Sequence, residues 1–342
     1  MNKLVGNTPM IKINYEIDGV KKEIYAKLEY YNVTGSIKDR IVYNILDNER
    51  EKGNLKHGQP IIEATSGNTG IALASYGACY KHPVYIFMPV WSSEERRKLM
   101  QLYGANLILI TREDGGFKKC IEEAKKKAKE LNGFLLNQFE NNDNVLVHKK
   151  TTAKEIIAKV PFISSFVSGI GTGGTFMGIA LGLKEHNKMV KAVALEPASI
   201  PILSGGEIIG PHKISGIGDD FIPNIVDPKI IDRIIDVSDD DALRMARKVA
   251  SELGIAIGIS SGANIFASIL TREQESSVVT VIPDDAKKYL STDLLNDITD
   301  SDFTSKIKFL DYEVIWFSNY SCYNFIRESC CDVVWSMLFL MF

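Results

Sequence analysis

The sequence predicts an α/β fold with two domains, each built on a twisted, mostly parallel sheet flanked by helices. Short apolar runs alternate with longer helical patterns along the chain, which is typical of parallel strands connected through helices. At 342 residues the chain is long enough for two such units with a sizeable buried core. Ligands bind at the carboxyl ends of the strands in such sheets, so we expect the functional site there.

Five apolar runs are predicted to be buried strands. They are "VYIFMP" (84–89), "NLILI" (106–110), "SSFVSG" (164–169), "KAVALEP" (191–197) and "SSVVTVIPD" (276–284). Three segments between them are predicted to be helices. They are "SSEERRKLMQLYG" (92–104), "FKKCIEEAKKKAKELNG" (117–133) and "SDDDALRMARKVASELG" (238–254). The last begins with Ser238 as N-cap and ends at Gly254, so Asp239 to Asp241 are assigned to the helix start rather than to a metal site.

Composition and charge exclude several classes of function. Apolar residues make up 45% and charged residues 24% of the chain, as in ordinary globular proteins. A net charge of −3 gives no electrostatic case for nucleic acid or an anionic membrane as a partner. The chain does not open on a basic segment followed by an apolar one, so we expect a cytoplasmic protein. The five cysteines show no CxxC pair and no zinc-like spacing, so we predict no metal site.

The character of the chain changes after about residue 300. Two of the three tryptophans and three of the five cysteines lie in this part, which lacks clear helix caps. The apolar run 333–342 is too short to span a bilayer as a helix. Residues 300–342 are therefore predicted to be an atypical C-terminal extension, as a docking helix, a dimer contact or a poorly ordered appendage, and no chemistry is assigned to them.

A glycine-rich loop, "SGIGTGGTFMGIA" (168–180), follows a predicted strand and opens a helix with Phe176, Ile179 and Leu183 on one face. Glycines let successive N–H groups approach an anion, and the helix N-terminus adds positive potential. The loop is therefore predicted to bind a phosphate.

The same loop also matches a dinucleotide fingerprint. Gly169, Gly171 and Gly174 satisfy G-x-G-x-x-G, and Glu196 ends the next predicted strand, which keeps a nicotinamide oxidoreductase open as an alternative. Against it, Thr172 and Thr175 interleave with the glycines and suit a terminal phosphate better than a bridging pyrophosphate. The residues after Glu196 are also small and proline-rich, unlike a crossover helix.

Lys38 follows the turn formers Gly35 and Ser36 and begins an apolar-patterned helix. The helix dipole at that position favours a neutral amine, which Schiff-base chemistry with an aldehyde cofactor requires. Without further context, a surface salt bridge with Asp39 explains this lysine better than chemistry does.

Two more small-residue segments are candidate binding loops. "EATSGNTGIALA" (63–74) joins a strand to a helix, and its hydroxyl and amide groups suit the capture of a substrate carboxylate, although an N-capped helix start explains them equally well. "GISSGAN" (258–264) is predicted to be a third such turn, in which a buried serine faces a neutral heterocyclic nitrogen.

Seven segments in this order resemble the cysteine synthase family, pyridoxal-phosphate enzymes of the tryptophan synthase β-like fold that are close to cystathionine β-synthase. They are "KLEYYNVTGSIKDR", "EATSGNTGIALA", "NQFEN", "SGIGTGGT", "GPHKISGIGDDFIP", "GISSGAN" and "DDAKKYLST". The resemblance runs from Leu4 to about Leu295. It implies a smaller mobile substrate-loop domain at 34–143, a larger cofactor-phosphate domain at 1–33 and 144–299, and pyridoxal 5′-phosphate in the cleft between them.

The resemblance also implies roles for individual residues. Lys38 matches the lysine that holds the cofactor as a Schiff base and then moves the α-proton. Ser260 matches the serine that faces the pyridine nitrogen, and Asn68 the residue that bonds the ring oxygen. The phosphate loop corresponds to Gly171, Thr172, Gly173, Gly174 and Thr175. The residues that hold the substrate α-carboxylate correspond to Thr65, Ser66, Gly67, Thr69 and Gln138.

The implied reaction is β-replacement on a small L-amino acid through an α-aminoacrylate intermediate, in a homodimeric enzyme. O-acetylserine synthases typically carry "GIGAGF" where this chain has "GIGDDF", in a loop that borders the amino and side-chain end of the substrate, with Gly216 and Asp219 on the substrate side. An acid at position 219 is the feature that predicts L-cysteine as a donor, with release of hydrogen sulfide and formation of a lanthionine-type thioether. A solvated loop acid is the other interpretation of Asp219, and it is the preferred one for Asp220.

Three alternatives to this function stay open at this point. An L-cysteine desulfhydrase would carry out β-elimination and release pyruvate instead of a thioether. A nicotinamide oxidoreductase is a more distant class. A catalytically silent member of the family would serve only as a binding module, although Lys38, Asn68, Ser260 and the phosphate loop are all present.

Overall fold

The computed structural model describes residues 4–272, 274–296 and 302–315. The strands are β1 (Met10–Ile17), β2 (Val20–Leu28), β3 (Ile61–Ala64), β4 (Val84–Pro89), β5 (Asn106–Ile110), β6 (Phe134–Leu135), β7 (Ser165–Gly169), β8 (Lys191–Pro197), β9 (Arg233–Val237), β10 (Val278–Ile282) and β11 (Ile307–Ile315). The helices are α1 (Lys38–Glu51), α2 (Asn68–Tyr80), α3 (Glu94–Leu102), α4 (Gly116–Glu130), α5 (Asp143–Lys150), α6 (Thr152–Lys159), α7 (Gly174–His186), α8 (Asp239–Leu253), α9 (Ile259–Arg272) and α10 (Asp302–Lys306).

Two sheets organise the described residues, which confirms the predicted α/β class. The larger has the strand order β11-β1-β2-β10-β7-β8-β9, and the smaller has the order β5-β4-β3-β6. All pairs of the smaller sheet are parallel, as are the pairs from β2 to β9 in the larger one. All five predicted strands are confirmed, with ends that differ by two residues at most.

The antiparallel edge of the larger sheet was missed by the sequence patterns. Strands β1 and β2 form a hairpin in which Ile17 pairs with Val20. The two turn residues, Asp18 and Gly19, have φ angles of 48° and 79°. Two consecutive positive φ angles define the turn that best fits the twist of a two-stranded ribbon, and Asp-Gly is a preferred pair for it. This dipeptide was the available signal for the hairpin.

The strands of the smaller sheet all lie within residues 34–143, the range predicted for the smaller domain. The division into a mobile and a larger domain stays a prediction. The beginning of the predicted C-terminal extension forms α10 and then β11, which pairs antiparallel with β1. Cys322, Cys330, Cys331 and the apolar run 333–342 lie outside the described residues. None of the helices in the described ranges is both long and apolar enough to cross a membrane.

The predicted helices are confirmed, and one predicted turn is wrong. Ser238 caps α8 by accepting a hydrogen bond from the backbone N–H of Asp241, as expected. Segment 258–264, however, is not a turn, because α9 begins at Ile259. Its small residues serve close helix packing instead: a Cβ on Gly262 would lie 2.2 Å from the carbonyl oxygen of Ala242 in α8.

A buried charge network fixes the start of α1. Arg40, which is 1% exposed, lies 2.6 Å from the carboxylate of Glu29 through Nε and 2.7 Å from that of Glu155 through Nη2. Burial by itself raises the pKa of Glu29, but the charges of Arg40 and Lys27 outweigh it and lower this pKa to about 2. Glu29, Glu155 and Arg40 are therefore charged at neutral pH, and they hold α1 in a fixed position two residues after Lys38.

Helices α5 and α7 pack closely because Gly178 has no side chain. A Cβ at this position would lie 2.4 Å from the carbonyl oxygen of Val145 and 2.6 Å from the Cβ of His148. The backbone of α5 cannot move aside without disturbing its own hydrogen bonds. Since α7 starts at the glycine-rich loop, this contact positions the loop relative to α5.

We expect Gly178→Ala to destabilise the protein by about 1–3 kcal/mol, because overpacking a tight backbone contact forces a local shift. Urea denaturation followed by circular dichroism measures the change. Gly210→Ala is the control, since a Cβ at Gly210 meets no atom within 4 Å, and it is expected to cost about 0.5 kcal/mol or less. Equal stability of the two variants would contradict the packing argument.

Candidate active site

A cleft between the two sheets brings together nearly all of the predicted site residues. Its lining includes Lys38, Thr65, Ser66, Gly67, Asn68, Thr69, Gln138, Gly171, Thr172, Gly173, Thr175, Gly216, Asp219 and Ser260. Gly174 is the one predicted residue that does not line it. A Cβ there would lie 1.8 Å from Oδ1 of Asn144, so this glycine allows Asn144 to approach the loop.

Lys38 is the first residue of α1 and faces the cleft. Burial lowers the pKa of its amine, against the opposing influence of the nearby Asp284 and Asp219. Burial therefore acts in the same direction as the helix dipole and favours the predicted neutral amine. The alternative interpretation, a surface salt bridge with Asp39, is wrong. Asp39 is buried and accepts hydrogen bonds from the backbone N–H and the hydroxyl of Thr34.

Asn68 opens α2 and points its amide towards the larger sheet. Its Nδ2 donates to the carboxylate of Asp284 at 2.7 Å, and the same carboxylate oxygen accepts from the Tyr289 hydroxyl at 2.6 Å. Oδ1 of Asn68 is buried without a hydrogen-bond partner among the described residues. A buried acceptor of this kind is costly unless a ligand supplies the missing donor.

The loop between β3 and α2 is held in shape by hydrogen bonds within the loop and by Gln138. The Thr65 hydroxyl accepts from the Gly67 N–H at 3.1 Å, and the Thr69 hydroxyl donates to Gln138 at 2.7 Å. Gln138 in turn donates to the carbonyl oxygen of Ala64 at 3.2 Å. These bonds leave Ser66 and the free N–H groups at the start of α2 as the donors that face the cleft. Such a set suits a carboxylate.

The glycine-rich loop is supported by two residues of α5 that the sequence patterns did not single out. Asn144 donates to the Thr172 hydroxyl at 3.0 Å, and Nε2 of His148 lies 3.2 Å from the Thr175 hydroxyl. Burial lowers the pKa of His148 to about 3, so this imidazole is neutral and bridges Thr152 and Thr175. Only the packing of α5 on α7 reveals these two contacts.

Glu196 does not serve the glycine-rich loop in the way that the dinucleotide alternative requires. This carboxylate is buried and already accepts hydrogen bonds from the N–H groups of Leu203 at 2.6 Å and Ser204 at 3.0 Å. It stabilises the turn that follows β8, where no helix is formed. A ribose hydroxyl would have to compete with both of these bonds.

The loop 215–221 has two different acids. Burial, with the charge of Asp220 adding to it, raises the pKa of Asp219 to about 6, although Lys38 opposes this. Asp220 is exposed and lies 2.9 Å from the Lys118 ammonium on α4. Phe221 packs on Phe139 with ring centroids 5.3 Å apart. The loop therefore contacts both sides of the cleft.

Arg96 is a further residue that the sequence patterns missed. It lines the cleft from α3, donates to the Ser215 hydroxyl at 2.6 Å and lies 3.7 Å from the carboxylate of Asp284. Its guanidinium also stacks over the Tyr289 ring at 4.4 Å. Arg96, from a helix beside the smaller sheet, thus contacts two segments on the side of the larger sheet, one at Ser215 and the other at Asp284 and Tyr289.

The comparisons with known proteins agree with this geometry. Residues 1–284 match the family model described as pyridoxal-phosphate dependent enzyme. Cysteine synthase of Staphylococcus aureus is 42% identical over 299 residues, which cover 86% of this chain and 96% of that protein. The chain therefore belongs to the pyridoxal-phosphate dependent enzyme family and is a cysteine synthase-like enzyme.

Two solved structures are similar over most of their length. A hydrogen sulfide-producing enzyme from Fusobacterium nucleatum has a TM-score of 0.87 and 42% identity, covering 93% of this chain and 98% of that one. An O-acetylserine dependent cystathionine beta-synthase from Helicobacter pylori has a TM-score of 0.79 and 35% identity, covering 86% of this chain and 97% of that one.

The residues present fit pyridoxal 5′-phosphate. The ring hydroxyl of this cofactor would donate the hydrogen bond that Oδ1 of Asn68 lacks. The glycine-rich loop at the start of α7 is matched by its phosphate, and the amine of Lys38, whose pKa is lowered by burial, is matched by its aldehyde. Ser260 lines the same cleft and offers a neutral partner for the pyridine nitrogen.

We expect Asn144→Ala to weaken cofactor binding about tenfold or more. The substitution removes the donor to Thr172 inside the loop, and a buried group left without its partner costs about 1–3 kcal/mol. Titration of the apoenzyme with pyridoxal 5′-phosphate, followed by absorbance, measures the Kd. Asn142→Ala is the control, because Asn142 is exposed and makes no capping hydrogen bond through its side chain. An unchanged Kd for Asn144→Ala would refute this role.

Proposed function

We propose that this enzyme catalyses β-replacement on a small L-amino acid, with O-acetylserine, L-cysteine or both as the β-donor. The observation that carries the proposal is the amine of Lys38, whose pKa is lowered by burial, in the same cleft as the glycine-rich loop and Asn68. With cysteine as donor, the products would be hydrogen sulfide and a lanthionine-type thioether. The names of the similar enzymes, cysteine synthase and hydrogen sulfide-producing enzyme, support this range of donors.

Each group of residues has its own part in the proposed mechanism. Pyridoxal phosphate supplies the electrophile that acidifies the α-proton and allows the β-substituent to leave. The N–H groups at the start of α2, with Ser66, hold the substrate carboxylate, and Thr65, Thr69 and Gln138 keep that loop in shape. Lys38, whose pKa is lowered by burial, takes the α-proton and later returns it.

Asp219 is proposed to act on the thiol that enters. It lies at the cleft, and Lys38 is close enough to affect its pKa. Its pKa of about 6 leaves it ionised at neutral pH and still basic enough to accept a proton in a poorly solvated site. In the balanced reaction of two cysteines, the Cβ–S bond of one breaks and a new Cβ–S bond forms to the sulfur of the other. The proton of the attacking thiol leaves with the sulfide as hydrogen sulfide.

The assembly and the location of the enzyme are further parts of the proposal. We propose a homodimer, in line with the family resemblance, and a cytoplasmic enzyme. Analytical ultracentrifugation of the holoenzyme measures the first of these directly. A molecular mass of one chain at micromolar concentration would rule the dimer out.

We expect Lys38→Ala to abolish turnover and the visible absorbance of the lysine-bound cofactor, because Lys38 is the only lysine among the described residues that line the cleft. Steady-state assays with O-acetylserine plus sulfide, and absorbance spectra of the purified protein, check this. Lys52→Ala is the control, since Lys52 lies at the exposed C-terminal end of the same helix. Turnover retained in Lys38→Ala would rule out the assignment.

We expect Asp219→Asn to lower kcat/KM for L-cysteine by about 10²-fold, and that for O-acetylserine plus sulfide much less, because hydrosulfide is already deprotonated at neutral pH. Asp220→Asn is the matched control, being adjacent but exposed. Sulfide, pyruvate and lanthionine are quantified with cysteine alone. Pyruvate without lanthionine would indicate β-elimination instead of replacement, and equal effects on both donors would argue against a role for Asp219.

The pH dependence gives a second measure of the same residue. A base must be ionised to act, so kcat/KM for cysteine should rise as the pH increases through about 6 in the wild-type enzyme. Asp220→Asn should move this rise to lower pH, because the charge of Asp220 is one cause of the raised pKa. Asp219→Asn should remove it.

A further inference from the structure

A second cavity of about 290 Å³ opens beside the active-site cleft. It shares part of its wall with the cleft: Ser66, Arg96, Phe117, Ser215, Gly216, Ile217 and Asp219 line both. Lys213 and Asp293, which the proposed reaction has not used, also line the cavity and form its far wall. The glycine-rich loop does not reach it. The cavity is therefore continuous with the site but lies away from the phosphate end.

The far wall carries one positive and one negative side chain. Nζ of Lys213 lies 2.8 Å from Oδ2 of Asp293, and both side chains are about half exposed, at 51% and 40%. The hydrogen bond to Asp293 raises the pKa of Lys213, so the lysine keeps its positive charge at neutral pH. The backbone N–H of Lys213 donates to Asp239 at 2.8 Å, and Arg247 donates to the Asp293 carbonyl oxygen at 3.3 Å. The pair is thus held in place through its backbone while its charges face the cavity.

This arrangement matches an α-amino acid, which has one carboxylate and one ammonium on the same carbon. Trp91, Phe117, Ile259 and Tyr289 provide apolar wall for a short carbon chain between those charges and the cleft. Asp219 lies where the two spaces join, which is the place where a thiol would lose its proton. Hydrosulfide, the smaller nucleophile, needs neither the opposite charges nor the apolar wall.

We propose that this cavity binds the second, thiol-bearing amino acid of the reaction, with Lys213 taking its carboxylate and Asp293 its ammonium. Binding replaces the ion pair between Lys213 and Asp293 by two new ones, Lys213 with the carboxylate and Asp293 with the ammonium. No charge is therefore left unpaired. Its sulfur forms the new bond to Cβ of the first substrate, and its thiol proton passes to Asp219. This inference rests on the proposed β-replacement and adds to it the class of the acceptor and the site where the acceptor binds.

The test uses four thiols that carry both, one or neither of the two charges of an amino acid. With saturating O-acetylserine as donor, the acceptors are homocysteine, 3-mercaptopropionate with a carboxylate only, cysteamine with an ammonium only, and uncharged 2-mercaptoethanol. Lys213→Gln should raise KM about tenfold for homocysteine and 3-mercaptopropionate, and leave cysteamine and 2-mercaptoethanol unchanged. Asp293→Asn should raise KM for homocysteine and cysteamine alone.

Two controls separate binding from folding. Lys287→Gln removes an exposed lysine that pairs with Asp285 outside the cavity, and should leave all four KM values unchanged. With sulfide as acceptor, both cavity variants should keep the wild-type kcat and KM, which shows that the fold and the donor site are intact.

The outcomes distinguish this inference from the proposed function. Changes in KM that do not depend on the charge of the thiol would overturn the proposed acceptor subsite. An unchanged KM in both variants would overturn it as well. A wild-type enzyme that uses sulfide but adds none of the four thiols would also overturn it, and would leave β-replacement intact. An enzyme that adds neither sulfide nor thiols to O-acetylserine or cysteine would overturn the proposed function itself.

Discussion

One buried carboxylate joins the two halves of this enzyme. Asp284 follows the central strand β10 and accepts hydrogen bonds from Asn68, at the start of a helix of the smaller sheet, and from Tyr289. Arg96 approaches the same carboxylate from the smaller sheet's side, and Asp284 also opposes the lowering of the pKa of Lys38 by burial. A fully buried charge needs partners of this kind. The cleft, the substrate loop and the amine of Lys38 therefore depend on it for their relative positions.

The phosphate end of the site is positioned by close packing of helix backbones and not by further ion pairs. Helix α5 packs on α7 at Gly178, and this contact brings Asn144 and His148 to Thr172 and Thr175. The side chains that contact the loop are neutral, since burial holds the pKa of His148 at about 3. A phosphate bound there would be held by N–H groups, hydroxyls and the helix dipole. Neither Asn144 nor His148 carries a carboxylate that would repel its negative charge.

Around the reacting end of the cleft, the acids are divided by burial. Asp219 is buried enough for its pKa to rise to about 6, while Asp220 is exposed and paired with Lys118. The proposed acceptor cavity also combines exposed charges with apolar lining, because Lys213 and Asp293 are about half exposed and the buried Tyr289 lines the same space. In the proposed reaction, both arrangements leave a charged group near solvent while the reacting sulfur lies in a less solvated space. Electrostatic interactions with the reacting atom are stronger there.

By itself the sequence determined the α/β class, the parallel strands and the cap at Ser238, because strand periodicity and capping chemistry are local patterns; most residues of the cleft followed from the resemblance to the cysteine synthase family. It did not reveal Arg96, Asn144, His148 or Asp284, because each acts on a residue that is distant along the chain, and the periodicity of its own helix or strand says nothing about that partner. Segment 258–264 was predicted to be a turn from the same small residues that let α9 pack against α8. The tertiary structure alone decided whether small residues bend the chain or allow helices to touch. It also decided which of two adjacent acids, Asp219 and Asp220, is the more buried, since burial depends on what packs around a residue and not on its neighbours in sequence.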